Sequence, residues 1–284
     1  MSPPCFHPGG QGANVARALV TLGQRPELVA LNGGETGVIL RALLDAYGIR
    51  HRLVETQSST KAVLALVAPD GARIVFESPL PHISRHESDD LFSVASTLAL
   101  ESQVLVLSGT LAPGTHPDFF IRLVQLANEH HIPTVVDIAP ELLKSVLPAR
   151  PTLVKPNLSQ LGTLVGRELH DSEMEEVVQA MLAVRQLGAS IVVTSMGNSG
   201  AIASFDNSVI RATPPALEAI EESGAGDGMV AGLAAGLARG YTMERTLVLS
   251  TAAGSASVLR RGMGSFKSSI VRKLAQWVRI DHLT

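Results

Sequence analysis

Short apolar runs alternate along this chain with longer segments patterned for helices, and that alternation constrains the fold most. Val104–Ser108 reads as a buried strand. Phe119–His131 follows it, with Phe119, Phe120, Leu123, Val124, Leu126 and Ala127 at helical spacing. Thr134–Asp137 reads as a second strand, Leu153–Lys155 as a third ended by Pro156, and Ser190–Thr194 as a fourth. Glu173–Leu187 is patterned as a helix, with Met174, Val177, Val178, Met181, Leu182 and Val184 on its apolar side. Strand, helix, strand in repetition predicts an α/β fold with parallel pairing and helices on both faces.

Ligands of such sheets bind beyond the carboxyl ends of the strands. Ser108-Gly109, Asp137, Lys155-Pro156-Asn157 and Ser195-Met196-Gly197 all follow strands at that edge. Any one of them can be loop punctuation. Their joint appearance predicts one crevice. One segment breaks the pattern: Lys61–Val67 and Arg73–Phe76 flank Pro69-Asp70-Gly71, an Asp-Gly turn without an intervening helix. That is a hairpin, read either as a lid over the crevice or as a plain edge hairpin. No linker divides the chain, so residues 1–284 are expected to form one domain with the hairpin at about 61–76 inserted.

Composition removes several classes. The net charge is -3 and no dense Lys/Arg run exists, which argues against a nucleic-acid surface. Apolar runs such as Val104–Leu107 and Ile191–Val193 are strand-length, far below the ~20 residues that span a bilayer. The start has no basic region followed by an apolar segment, so no signal peptide is expected. Cys5 is the sole cysteine, which fits a reducing compartment. A cytoplasmic protein is expected.

Two glycine clusters each lead into a helix. Gly9-Gly10-Gln11-Gly12-Ala13-Asn14 runs into Val15–Leu19, and Ser223-Gly224-Ala225-Gly226-Asp227-Gly228 runs into Met229–Arg239. Glycines there let backbone N–H groups approach a ligand, and the helix dipole favours an anion. The first cluster is no Walker loop, because no Gly-Lys-Ser/Thr follows. In the second, a carboxylate sits among amides suited to phosphate. Asp227 there is either a general base for a hydroxyl or a helix N-cap.

The two clusters together resemble the paired signatures of the PfkB, or ribokinase-like, carbohydrate kinase family. Between them Ser108–Gly114, Lys155-Pro156-Asn157 and Ser195–Ala201 resemble its hexose-phosphate branch. The resemblance implies a ribokinase-like three-layer fold with a mostly parallel central sheet and a small β lid. It implies ATP-dependent phosphorylation of a sugar phosphate, fructose 6-phosphate to fructose 1,6-bisphosphate, with Mg²⁺. Asp227 would be the catalytic base, and Gly224, Ala225 and Gly226 the anion hole. Lys155, Asn157, Ser195, Gly197 and Gly200 would lie along ATP. Gly9, Gly10, Asn14 and Thr110 would lie against the sugar, and Lys61 on the lid would bind the substrate's phosphate. A homodimer through the lid is the expected assembly. Tagatose 6-phosphate, fructose 1-phosphate or an unphosphorylated sugar are the alternative substrates.

Three departures from the pattern bear on activity. The family has a strand and lid segment before the first cluster, whereas eight residues precede Gly9 here. Lack of that strand would expose an apolar sheet edge and leave backbone groups unpaired. The family's Asn-x-x-Glu, which organises Mg²⁺, reads Asn157-Leu158-Ser159-Gln160. Gln160 keeps the shape and loses the charge, predicting weak metal binding. Glu221 and Glu222 precede the anion hole, where like charge would repel a triphosphate. Together they favour reduced activity, or a regulatory paralogue that binds sugar phosphate or nucleotide without turnover.

Overall fold

Alternate residues of a strand point to opposite faces, so a strand apolar throughout demands cover on both sides. The computed structural model, which describes residues 6–67, 73–221, 223–260 and 265–283, meets that demand. Val135, Leu153 and Val193 face one apolar cluster, and their chain neighbours Val136, Val154 and Val192 face the other.

The amino-terminal part comprises α1 (Gln11–Thr21), β1 (Glu27–Asn32), α2 (Gly34–Ala46) and β2 (Arg50–Glu55). β3 (Val63–Val67) and β4 (Arg73–Glu77) follow, then α3 (Arg85–Leu100) and β5 (Leu105–Gly109). Next come α4 (Phe119–Glu129), β6 (Thr134–Ile138), α5 (Pro140–Val146), β7 (Leu153–Val154), α6 (Leu158–Val165) and α7 (Met174–Gln186). β8 (Ile191–Ser195), β9 (Ala201–Phe205) and β10 (Ser208–Thr213) precede α8 (Ala225–Ala238), α9 (Met243–Val258), α10 (Ser268–Ala275) and β11 (Arg279–His282).

The main sheet has seven strands in the order β11-β10-β9-β8-β7-β6-β5. β5 to β8 pair in parallel, and β8 to β11 in antiparallel fashion. α4 to α7 cover one face, and α1, α8, α9 and α10 the other. β1 and β2 form a separate parallel pair, and β3 and β4 an antiparallel hairpin. The four strands expected from apolar runs are β5 to β8, each within a residue of its expected bounds. The hairpin is present too, while its expected turn at Pro69–Gly71 lies outside the described residues. The β1–α2–β2 unit and the strands β9 to β11 were not anticipated. β1 carries an apolar run, Leu28–Leu31, that marks it, whereas β11, Arg279–His282, holds a single apolar residue among polar ones.

Two findings answer expectations directly. β5 ends the main sheet and β1 pairs only with β2, so the expected unpaired apolar edge is present among the described residues. No helix of the described residues is long and apolar enough to cross a membrane.

α8 begins at Ala225, four residues before the expected Met229, because Gly224 takes φ 91° and turns the chain straight into the helix. Small residues then let α9 approach closely. A Cβ on Gly232 would stand 2.8 Å from the backbone nitrogen of Ser250, and backbone cannot move aside. Gly232→Ala should therefore lower unfolding stability by about 1–3 kcal/mol despite alanine's better helix propensity. The check is the urea midpoint; an unchanged or raised midpoint contradicts this packing.

Candidate active site

The carboxyl ends of β6 and β7 bring opposite charges together. Asp137 is the fourth residue of β6, and Lys155 follows β7 directly. Lys155 Nζ lies 3.3 Å from Asp137 Oδ1, and the two residues are only 3% and 5% exposed. Burial raises the Asp137 pKa, and the Lys155 charge opposes that rise. The Lys155 ammonium also stands 3.8 Å from where a Cβ on Gly226 would be. It thus reaches the start of α8.

α8 brings the carboxylate to this charge. Gly224 caps the helix without any side-chain hydrogen bond, so first-turn amides keep no side-chain acceptor. Asp227 lies within that turn, not at the cap, which sets the N-cap reading aside. Its Oδ2 instead accepts a 2.8 Å hydrogen bond from Asn14 Nδ2 on α1. Asp227 is 7% exposed. Burial first, and then the Asp137 charge, raise its pKa to about 6, against the Asn14 hydrogen bond and the charges of Lys155 and Arg17.

These groups surround a cavity of about 360 Å³. Of the residues singled out from the sequence, Gly10, Asn14, Lys155, Asn157, Gln160, Gly224, Gly226 and Asp227 line it, with Ala225 in the same helical turn. Asn157 and Gln160 are locked together: Gln160 N donates to Asn157 Oδ1 at 2.8 Å, and Asn157 N donates to Gln160 Oε1 at 2.9 Å. This reciprocal cap starts α6 and occupies the oxygen that a metal would need.

The other candidates lie elsewhere. Gly9 and Thr110 border a second, larger cavity. Ser195 pairs with Asn157 in a parallel bridge, and Ser195, Gly197 and Gly200 line neither cavity. Gly200 has a structural reason of its own: at φ 90°, a Cβ there would come 2.9 Å from Pro214 Cδ. Lys61 lines neither cavity; its Nζ pairs with Glu77 Oε2 at 2.6 Å. Glu221 is half-buried and acts on the His7 charge without lining the cavity, and Glu222 lies outside the described residues. Two wall residues had no assigned role: Gln11, at the start of α1, and Asp137. An aspartate closing an all-apolar strand was the available signal for the latter.

The family model described as pfkB family carbohydrate kinase matches residues 4–269. The chain belongs to the pfkB carbohydrate kinase family. ATP-dependent 6-phosphofructokinase isozyme 2 of Escherichia coli (strain K12) is 34% identical over 263 residues, covering 91% of this chain and 84% of that protein. The 1-phosphofructokinase of Borreliella burgdorferi is 27% identical over 280 residues, covering 98% of this chain and 89% of its own length. The tetrameric inhibited form of E. coli phosphofructokinase-2 superposes with a TM-score of 0.86 at 30% identity, over 97% of this chain and 89% of that one. The ribokinase-like fold of this family member is therefore the expected one.

The electrostatics make a direct prediction. The Asp227 carboxyl, followed by NMR, should titrate near 6. Asn14→Ala removes a bond that favours the ionised form, so it should raise that midpoint further. A midpoint in the ordinary aspartate range contradicts the assignment.

Proposed function

We propose that this chain transfers the γ-phosphoryl group of ATP to a hydroxyl of fructose 6-phosphate, giving fructose 1,6-bisphosphate. One observation carries the reading: a buried carboxylate, Asp227, sits in an uncapped helix start beside the Lys155 ammonium. The similarity to a 6-phosphofructokinase and a 1-phosphofructokinase supports a phosphorylated sugar as acceptor.

Asp227, poised near 6, is ionised at neutral pH and takes the proton of the attacking hydroxyl. The freed oxygen attacks the γ-phosphorus, and the bond to the β–γ bridging oxygen breaks to release ADP. Amides of Gly224, Ala225 and Gly226, with Lys155, stabilise charge on the transferring group. Asn14 orients Asp227 and, with Gly9 and Gly10, holds sugar hydroxyls. Asn157, Ser195, Gly197 and Gly200 lie along the nucleotide path, and Thr110 beside the sugar. Lys61 would reach the substrate's phosphate only by leaving Glu77.

Magnesium fits this donor set as an ion held chiefly by substrate phosphates, with Asp137 and Asp227 as the carboxylates on the wall. It would supply charge neutralisation at the phosphate oxygens. Gln160 contributes no charge. Catalysis in the cytoplasm accords with a single cysteine. Residues 1–284 act as one domain in this reading.

An ADP-release assay over fructose 6-phosphate, tagatose 6-phosphate, fructose 1-phosphate and fructose tests the substrate. Turnover should be fastest with fructose 6-phosphate. Release no faster than the sugar-free background in every case sinks the reading, and binding seen by calorimetry in that event would mark the regulatory alternative. With the active substrate, kcat/KM should fall about tenfold per pH unit below the Asp227 pKa. A flat profile down to pH values near 4 contradicts Asp227 as base.

Gln160→Glu keeps the reciprocal cap with Asn157 and adds a carboxylate. It should lower the Mg²⁺ concentration needed for half-maximal rate; an unchanged titration counts against the argument. Self-association is the remaining part of the proposal. Val63, Leu64, Leu66, Ile74, Val75 and Phe76 of the hairpin are exposed. Exposed apolar surface of that kind marks an interface. Sedimentation should show a dimer that the pair Leu64→Lys and Phe76→Lys dissociates, and a monomeric intact chain would refute it.

A further inference from the structure

The hairpin of β3 and β4 grows from a fixed root. Thr60 N donates to the Gly33 carbonyl at 2.9 Å, and the Thr60 carbonyl accepts from Thr36 Oγ1 at 2.6 Å. Gly33 N donates back to Thr60 Oγ1 at 3.0 Å. These bonds tie the chain to the start of α2 directly before Lys61. Directly after it, Ser78 N donates to the Ala62 carbonyl at 3.0 Å, and Ala62 N donates to Ser78 Oγ at 2.9 Å. Lys61 therefore stands between two anchored residues, and its long side chain is the part left to choose a partner.

The register of the hairpin decides which partner it meets. Val63 stands opposite Glu77, and successive residues alternate between the two faces. Lys61 thus shares a face with Glu77 and is its diagonal neighbour, within reach of a long side chain. Its Nζ donates to Glu77 Oε2 at 2.6 Å. With that bond made, Lys61 lines neither cavity. The two side chains are 35% and 53% exposed, so the pair is solvated and weak. A phosphate group carries more charge than one carboxylate and offers three strong acceptor oxygens. It therefore outcompetes Glu77 for the same ammonium.

We propose that Glu77 is an internal competitor for the acceptor's phosphate: a phosphorylated sugar binds by displacing its carboxylate from Lys61, and an unphosphorylated sugar leaves the pair intact. This rests on the reading of Lys61 as the residue that meets the substrate's phosphate. Calorimetry on the full chain with fructose 6-phosphate and with fructose tests it, because binding is read without turnover. Glu77→Gln should tighten fructose 6-phosphate about two- to fivefold at low ionic strength, the range of an exposed ion pair. Near 1 M salt, where the screening length is about 3 Å, that gain should vanish. Affinity for fructose should not change. Lys61→Met should weaken fructose 6-phosphate about tenfold or more, and Glu77→Gln added to it should bring no gain. Binding by Glu77→Gln that is unchanged or weaker, while Lys61→Met is weakened, overturns the inference and leaves the Lys61 reading standing. A gain that fructose shares, or that persists in the Lys61→Met background, also overturns it, since the effect would then not pass through Lys61. Lys61→Met binding fructose 6-phosphate as tightly as the intact chain, or an intact chain that does not bind it, overturns both.

Discussion

A single hydrogen bond, from Asn14 Nδ2 to Asp227 Oδ2, ties together two helix starts 213 residues apart in sequence. Each start depends on a glycine in the left-handed region: Gly10 at φ 94° caps α1, and Gly224 at φ 91° caps α8. Those conformations bring uncapped amides and a carboxylate to one wall. Close packing of α8 on α9 at Gly232 then holds the carboxylate's helix in place. A Cβ at these points would disturb the site before it touched any ligand.

The Lys155–Asp137 pair is the second constraint. Burying both charges is costly, and removal of one partner strands the other at roughly 3–5 kcal/mol. Such a pair is a weak source of stability. Its value here is positional: it fixes the ammonium near Gly226, where charge would develop on a transferring phosphoryl group. With the Asn14 hydrogen bond, the Lys155 charge restrains the pKa of Asp227, which burial and the Asp137 charge push the other way. A carboxyl pKa near 6 is the outcome of that opposition.

The strands β5 to β8 were legible because each is apolar on both faces, and the carboxyl-end rule then pointed to Lys155 and Asn157. Both glycine clusters were legible by composition. The contact that ties Asp227 to Asn14 was not, since it bridges residues far apart in the chain. Gly200 was expected along the nucleotide, and the structure sets Pro214 Cδ and the Ala212 carbonyl where its side chain would be. Gln160 was legible as a lost charge but not as half of a reciprocal cap. Lys61 was expected to bind phosphate; it stands two residues before β3, and Glu77, sixteen residues on, holds its ammonium. Pairings that arise only when the chain folds leave no periodic trace.

Single-turnover phosphoryl transfer from γ-labelled ATP to fructose 6-phosphate, in the intact chain and in Asp227→Asn, tests the account most directly. A base supplied by Asp227 predicts a loss of about 10²- to 10⁴-fold in the transfer rate. Calorimetric affinities for ATP and sugar phosphate should stay within about threefold, as expected for an interaction made in the transition state. A transfer rate in Asp227→Asn close to that of the intact chain would contradict it.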